Sequence, residues 1–203
     1  MPLAFADIAF TARVRAEQTR QGSAAAYAKF LSDDRWGGDR FGPDEVEFLT
    51  ARDGFFQASI SENGWPYVQF RGGPAGFVHV LDDQTIAYAD YRGNRQYISA
   101  GNLAGTPRIS LIAVDYPNRR RLKIWGTAQL IDPQSDPDLL ALVSDGTQRI
   151  DRIIKIRISA FDWNCPRHIP QRFTLQELEP ELARLRDRIT ELTAENAALK
   201  RAP

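Results

Sequence analysis

The chain has 203 residues, of which 43% are hydrophobic and 26% charged, and its 26 basic side chains balance 26 acidic ones. It is too apolar for a disordered chain, and its length suits one globular domain with modest extensions. A formal net charge of zero gives no electrostatic ground for a nucleic acid or an anionic membrane as partner. The first ten residues contain Asp7 and no basic start ahead of a long apolar run, so no secretory signal is expected. Cys165, the one cysteine, cannot close an internal disulfide, and no run of about 18 apolar residues is present to span a bilayer. The expectation is a soluble, cytoplasmic protein.

Residues 1–52 read as a polar, helical N-terminal extension. One helical stretch covers 23–31, and another opens at Pro43, carries Val46, Phe48 and Leu49, and stops at Gly54. From Phe55 the hydrophobic period changes to two. Residues 55–61 and 65–71 read as a hairpin, because Glu62-Asn63-Gly64 tolerates the positive φ angles of a tight turn. Further strands are expected over 76–81, 85–91, 109–115, 121–131 and 152–161, all rich in β-branched and aromatic residues. Short helices are expected over 94–102 and 137–144. Six or seven such strands with short turns predict an antiparallel, nearly closed barrel over 53–172, a mainly β fold with flanking helices.

The segment 173–203 follows another rule. Leu175, Leu178, Leu182, Leu185, Ile189, Leu192, Asn196 and Leu199 alternate spacings of three and four, which is a heptad seam. Pro180 predicts that the regular helix starts near Glu179, and the seam predicts a parallel two-stranded coiled coil.

The chemistry is concentrated between Gly64 and Leu111. Gln69 and Arg71, two apart on one strand, share a face. Asn94, Arg95 and Gln96 follow Gly93 where a helix is expected to open, and free amides beside a guanidinium suit a phosphate monoester. Two arginines would then hold the phosphate from two sides.

These residues, with the strand Tyr88-Ala-Asp-Tyr91 and the run Pro107-Arg-Ile-Ser-Leu111, resemble the pyridoxamine 5′-phosphate oxidase-like flavoproteins over about 48–161. The resemblance implies a split barrel, a homodimer, and FMN lying between two subunits that both line it. It implies that the family's phosphate-binding Ser-Arg-Lys step is matched by Asn94-Arg95-Gln96. The family's strand arginine is matched by Arg71, or by Gln69 if the register slips by two. The backbone at Ala89 and Asp90 would follow the flavin edge. Arg121 stands near a partner-subunit glutamine of the family, and Trp163 matches its C-terminal tryptophan. Gln96 replaces a lysine, and the substrate-phosphate signature, an Arg-Leu-His-type run, has only the rearranged Pro166-Arg167-His168 as counterpart. Arg167 and His168 are the candidate substrate contacts, and the vitamin B6 substrate is not expected.

The function expected from the resemblance is an FMN-dependent oxidoreductase acting on a small molecule. The alternatives are a non-catalytic flavin or small-ligand binder, and a deazaflavin-dependent reductase on the same barrel. No residue is assigned a catalytic role. His79, inside an apolar strand, reads as structural, Arg119 and Arg120 as a solvated hairpin tip, and Cys165 as inert. The two histidines and one cysteine lack metal-ligand spacing.

Overall fold

The period-two stretches form seven strands: β1 (Gly54–Ile60), β2 (Pro66–Gly72), β3 (His79–Asp82), β4 (Thr85–Tyr91), β5 (Arg108–Asp115), β6 (Arg120–Ile131) and β7 (Ile150–Trp163). The helices are α1 (Ala4–Ala9), α2 (Ala12–Arg20), α3 (Ala24–Ala28), α4 (Pro43–Thr50), α5 (Ile98–Gly105), α6 (Pro137–Val143) and α7 (Leu175–Leu199). This computed structural model describes residues 3–32 and 37–201. Positions 1, 2, 33–36, 202 and 203, which fall in the expected terminal segments, lie outside the described residues. The chain divides into two units, one reaching position 166 without 116–119, the other joining Tyr116–Arg119 to the chain from Arg167 onward.

In the first unit the strands form one antiparallel sheet in the order β2-β1-β5-β6-β7-β4-β3. The β1–β2 hairpin pairs Gln57 with Gln69, and its turn holds Gly64 at φ 85°. Alternation turns Phe55, Gln57 and Ser59 inward and leaves Phe56 and Ile60 exposed. Three strands separate β1 from β4 in the sheet. Even so, the Tyr88 hydroxyl donates to Gln57 Oε1, and the Phe55 and Tyr88 rings meet edge-on at 5.2 Å. The sheet therefore curls on itself into the split barrel, around Leu111, Leu122, Ile124, Ile154 and Ile156. Each such side chain, taken fully out of water, contributes about 1.5–3 kcal/mol.

Strand β4 is buried along nearly its whole length because both of its faces are covered. Inside lie Ile86 and Tyr88; outside, Ala87 and Ala89 pack with Ile153 against Leu139 and Val143 of α6. That helix starts on Asp136, which accepts the Leu139 N–H at 3.0 Å, with Pro137 at its first position. At Gly126 the β6–β7 register shifts, and a Cβ there would stand 2.3 Å from the Arg157 carbonyl oxygen, so only glycine fits. The third strand begins at His79 rather than Gly76. Ahead of it, the Phe77 N–H bonds the Pro74 carbonyl in a turn and the Phe77 ring stacks on Phe55.

In the second unit Gln171 Nε2 donates to the Pro117 carbonyl at 2.8 Å, and the Arg172 guanidinium sits 5.0 Å from the Tyr116 ring. Helix α7 starts at Leu175, four residues before the expected start. A capping box supplies the missing partners: Thr174 Oγ1 accepts the Glu177 N–H while Glu177 takes the Thr174 N–H at 2.7 Å. Pro180 sits inside the helix and forgoes only the bond to the Gln176 carbonyl. Among the described residues no helix is long and apolar enough to cross a membrane.

Candidate functional site

Six expected residues, Gln69, Arg71, Asp90, Asn94, Arg95 and Gln96, line one cavity of about 110 Å³. Strand β2 contributes Gln69 and Arg71 from one face, as the period of two requires, while Val68 and Phe70 point the other way and are exposed. The Ser99 hydroxyl donates to Gln69 Oε1 at 2.5 Å, tying the strand to the start of α5.

Opposite β2, Asp90 is held by two arginines. Arg71 Nη1 lies 2.5 Å from Asp90 Oδ1, and Arg152 Nε lies 3.4 Å from Oδ2. Arg152 is the register partner of Asp90 across the β4–β7 ladder, so the sheet itself places that contact. The three side chains are between 11% and 18% exposed, and at that depth a charge left without its partner is costly. Asp90 thus enters through its carboxylate, whereas the sequence pointed only to its backbone.

The segment after Gly93 is not helical. The expected helix over 94–102 begins at Ile98, and the preceding residues form a loop with Arg95 at φ 63° and Tyr97 at φ 54°. Asn94 Oδ1 accepts the Gln96 N–H at 3.2 Å, a turn that competes with helix formation. Two non-glycine residues in the left-handed region cost on the order of 1–2 kcal/mol each, strain of a kind that gathers at functional sites. Tyr97 is held from both sides, its ring 4.9 Å from the Arg152 guanidinium and its hydroxyl 3.3 Å from Asp151 Oδ2. Beyond it, Ile98, Ser99 and Ala100, in the first turn of α5 where amides lack helical partners, line the cavity.

Three arginines (Arg71, Arg95 and Arg152) face two aspartates (Asp90 and Asp151) around the cavity. Arg95 is exposed and has no hydrogen bond or ion pair among the described residues, and Arg71 Nε is buried without a partner. The Arg95 guanidinium is therefore an accessible donor that no described residue satisfies. Nearby, burial and then Asp145 raise the Tyr91 hydroxyl above its ordinary pKa.

The other expected residues lie elsewhere. Ala89 turns its side chain toward α6 and lines a neighbouring cavity of about 260 Å³, which shares Arg71 as a wall. Trp163 anchors α4: its Nε1 donates to Glu45 Oε1 at 2.6 Å and its ring meets Phe48 edge-on at 4.8 Å. Arg120, read as a solvated tip, stacks 4.6 Å from the Trp163 ring. Arg121 is half-buried on β6, with its Nε unpartnered. Arg167 and His168 belong to the second unit and are exposed there, His168 at φ 65°. The sequence reading missed Tyr97, Ser99, Asp151 and Arg152. Only the β4–β7 register could have signalled Arg152.

A sequence profile described as pyridoxamine 5′-phosphate oxidase matches residues 42–162, more than half of the chain. The chain belongs to the pyridoxamine 5′-phosphate oxidase family. The stretch matched by this family holds the cavity and six complete strands, and leaves out α1–α3, Arg167, His168 and α7. Among solved structures, a HupZ variant from Group A Streptococcus is 14% identical with a TM-score of 0.48, over 61% of this chain and 98% of its own. An FMN-binding protein from Syntrophomonas wolfei is 11% identical with a TM-score of 0.47, over 74% of this chain and 97% of its own. No curated protein sequence matches the chain.

Proposed function

We propose that the cavity receives the phosphate of FMN and that the protein is a homodimeric, FMN-dependent oxidoreductase acting on a small molecule. The observation that carries this is the set of groups around one cavity: the Arg95 guanidinium, without a partner among the described residues, the Arg71 guanidinium, and the first residues of α5. A phosphate monoester is the group that such donors satisfy. Arg95 and Arg71 would hold it by charge-assisted hydrogen bonds, with Ser99 and Gln69 fixing the wall between them. Arg152 adds positive charge where Gln96 brings none. Bound FMN supplies a two-electron hydride carrier, and the chain's task is to orient it and exclude competing reactions.

Support for the dimer comes from the outer face of β1 and β2, where Phe56, Ile60, Val68 and Phe70 are exposed together. Beside them runs an apolar groove of about 500 Å³ lined by Ile8, Ala58, Ile60 and Trp125. A second copy would cover this surface.

The test is the absorbance of the purified protein and the mass of the compound released by heat. Released FMN, bleached anaerobically by a nicotinamide, supports the reading. A protein that is colourless and fails to take up added FMN at micromolar concentration refutes it, as does one that carries a deazaflavin. Bound FMN with no reduction by any nicotinamide leaves a flavin binder rather than an oxidoreductase.

A further inference from the structure

Helix α7 is 25 residues long and none of them is buried. All its leucines but the half-buried Leu182, and its isoleucine, lie open: Leu175 is 80% exposed, Ile189 64% and Leu199 73%. They are not scattered. Leu175, Leu182, Ile189 and Asn196 recur every seven residues, and Leu178, Leu185, Leu192 and Leu199 form the second row between them. A repeat of 3.5 residues keeps one narrow seam facing a partner when two helices wind around each other. A helix lying on its own globular core needs a broader apolar stripe.

We infer that α7 pairs with α7 of a second copy as a parallel, in-register, two-stranded coiled coil. Leucine occupies every position of the second row, and a single asparagine interrupts the first, the pattern that favours two parallel strands in fixed register. Asn196 decides the orientation. Its Nδ2 donates to the Leu192 carbonyl of its own helix at 3.0 Å, which leaves the carboxamide oxygen to be satisfied. In the parallel arrangement it meets the same residue of the other copy. In an antiparallel one it faces a leucine and stays unpaired, which is unfavourable.

Charge agrees with this orientation. Glu181 precedes Arg186 by five residues and Glu195 precedes Lys200 by five, the spacing at which flanking positions meet across a parallel pair. Within one helix these groups now serve local pairs, Arg184 with Glu181 at 2.6 Å and Arg186 with Glu179 at 2.7 Å. All of these are more than half exposed, so exchanging partners costs little. Three to four heptads are marginal alone. Attachment to the barrel, in the homodimer proposed above, would raise the effective concentration of the two helices. The pairing goes beyond the flavin reading and does not require a bound flavin.

Cross-linking of the full-length protein tests it, starting from Cys165→Ser, which removes the one native thiol. Leu192→Cys and Leu185→Cys each place a thiol on the seam, and Ala194→Cys places one on the opposite side of the helix. The seam variants should oxidise to covalent dimers on the order of tenfold faster than Ala194→Cys, or more. Equal rates at all three positions, or no seam cross-link while circular dichroism retains the helix, overturns the inference. An antiparallel pair sets the two 192 positions apart and also gives no cross-link. Because these side chains are exposed in the monomer, the substitutions leave the barrel able to fold, and two seam positions give independent readings.

Discussion

Substituting glycine for Arg95 removes a guanidinium and relaxes the backbone in one step. At φ 63° an L-residue costs about 1–2 kcal/mol that glycine does not, and the greater freedom of glycine in the unfolded chain returns about 0.5–1 kcal/mol of that gain. Arg95 makes no ion pair among the described residues, so no native contact is lost, and Arg95→Gly should be as stable as the wild type or up to about 1.5 kcal/mol more so. The same change deletes a charge-assisted phosphate contact of about 1.5–3 kcal/mol, roughly ten- to a hundredfold in FMN affinity. Arg71→Ala should behave differently. It leaves the buried Asp90 with Arg152 alone at 3.4 Å, so stability should fall by about 3–5 kcal/mol along with affinity. Urea unfolding of the apo-protein followed by circular dichroism gives the stability, and flavin fluorescence titration the affinity. Unchanged FMN affinity in Arg95→Gly would refute the placement of the phosphate, and a parallel loss of stability would refute the strain argument.

Tyr88→Phe should destabilise the barrel by about 1–3 kcal/mol, because it strands Gln57, whose Nε2 already lacks a partner. Adding Gln57→Leu should recover part of that loss in urea unfolding, and a double variant no better than the single would count against it. Pyridoxamine phosphate should turn over at less than about 0.1 per second in an oxidase assay with saturating FMN, since the substrate-phosphate run is rearranged at Arg167 and His168. Burial holds the His79 imidazole below its ordinary value of 6.5, so the unfolded chain takes up that proton first. Its contribution to stability is therefore full above about pH 6.5 and declines as the pH falls below it, until the folded-state group titrates. His79→Gln should flatten that part of the profile, and identical curves between pH 7 and 5 would contradict it.

The strands were legible wherever one face met the core and the other met solvent. The pattern places Thr85–Tyr91 to the residue although α6 covers its second face, because its β-branched and aromatic content matches a buried strand. The helix expected at Asn94 failed for a local reason. Asn94 bonds the Gln96 amide, and Arg95 and Tyr97 adopt left-handed backbone that no propensity scale assigns to them. Pro180 misled in the other direction, since the capping box at Thr174 outweighed one missing donor. As for the cavity, residues near in sequence or two apart on a strand could be grouped in advance. Arg152 could not, being 62 positions from Asp90 and brought there only by the register of β4 on β7.

The sheet begins with β2 and ends beyond β4 at β3, and among the described residues no backbone ladder joins the two sides of that split. Across it reaches the Arg71–Asp90 pair, one side chain from β2 and one from β4. The pair works as a clasp, and both of its side chains line the cavity. A phosphate seated there as proposed, between Arg71 of β2 and Arg95 of the loop after β4, would bridge the same split without undoing the clasp. Occupancy and closure then reinforce each other. Amides along β2, which sit at the free margin of the sheet, should exchange with solvent more slowly when the cavity is filled, while those of the central strands β5 and β6 hardly change.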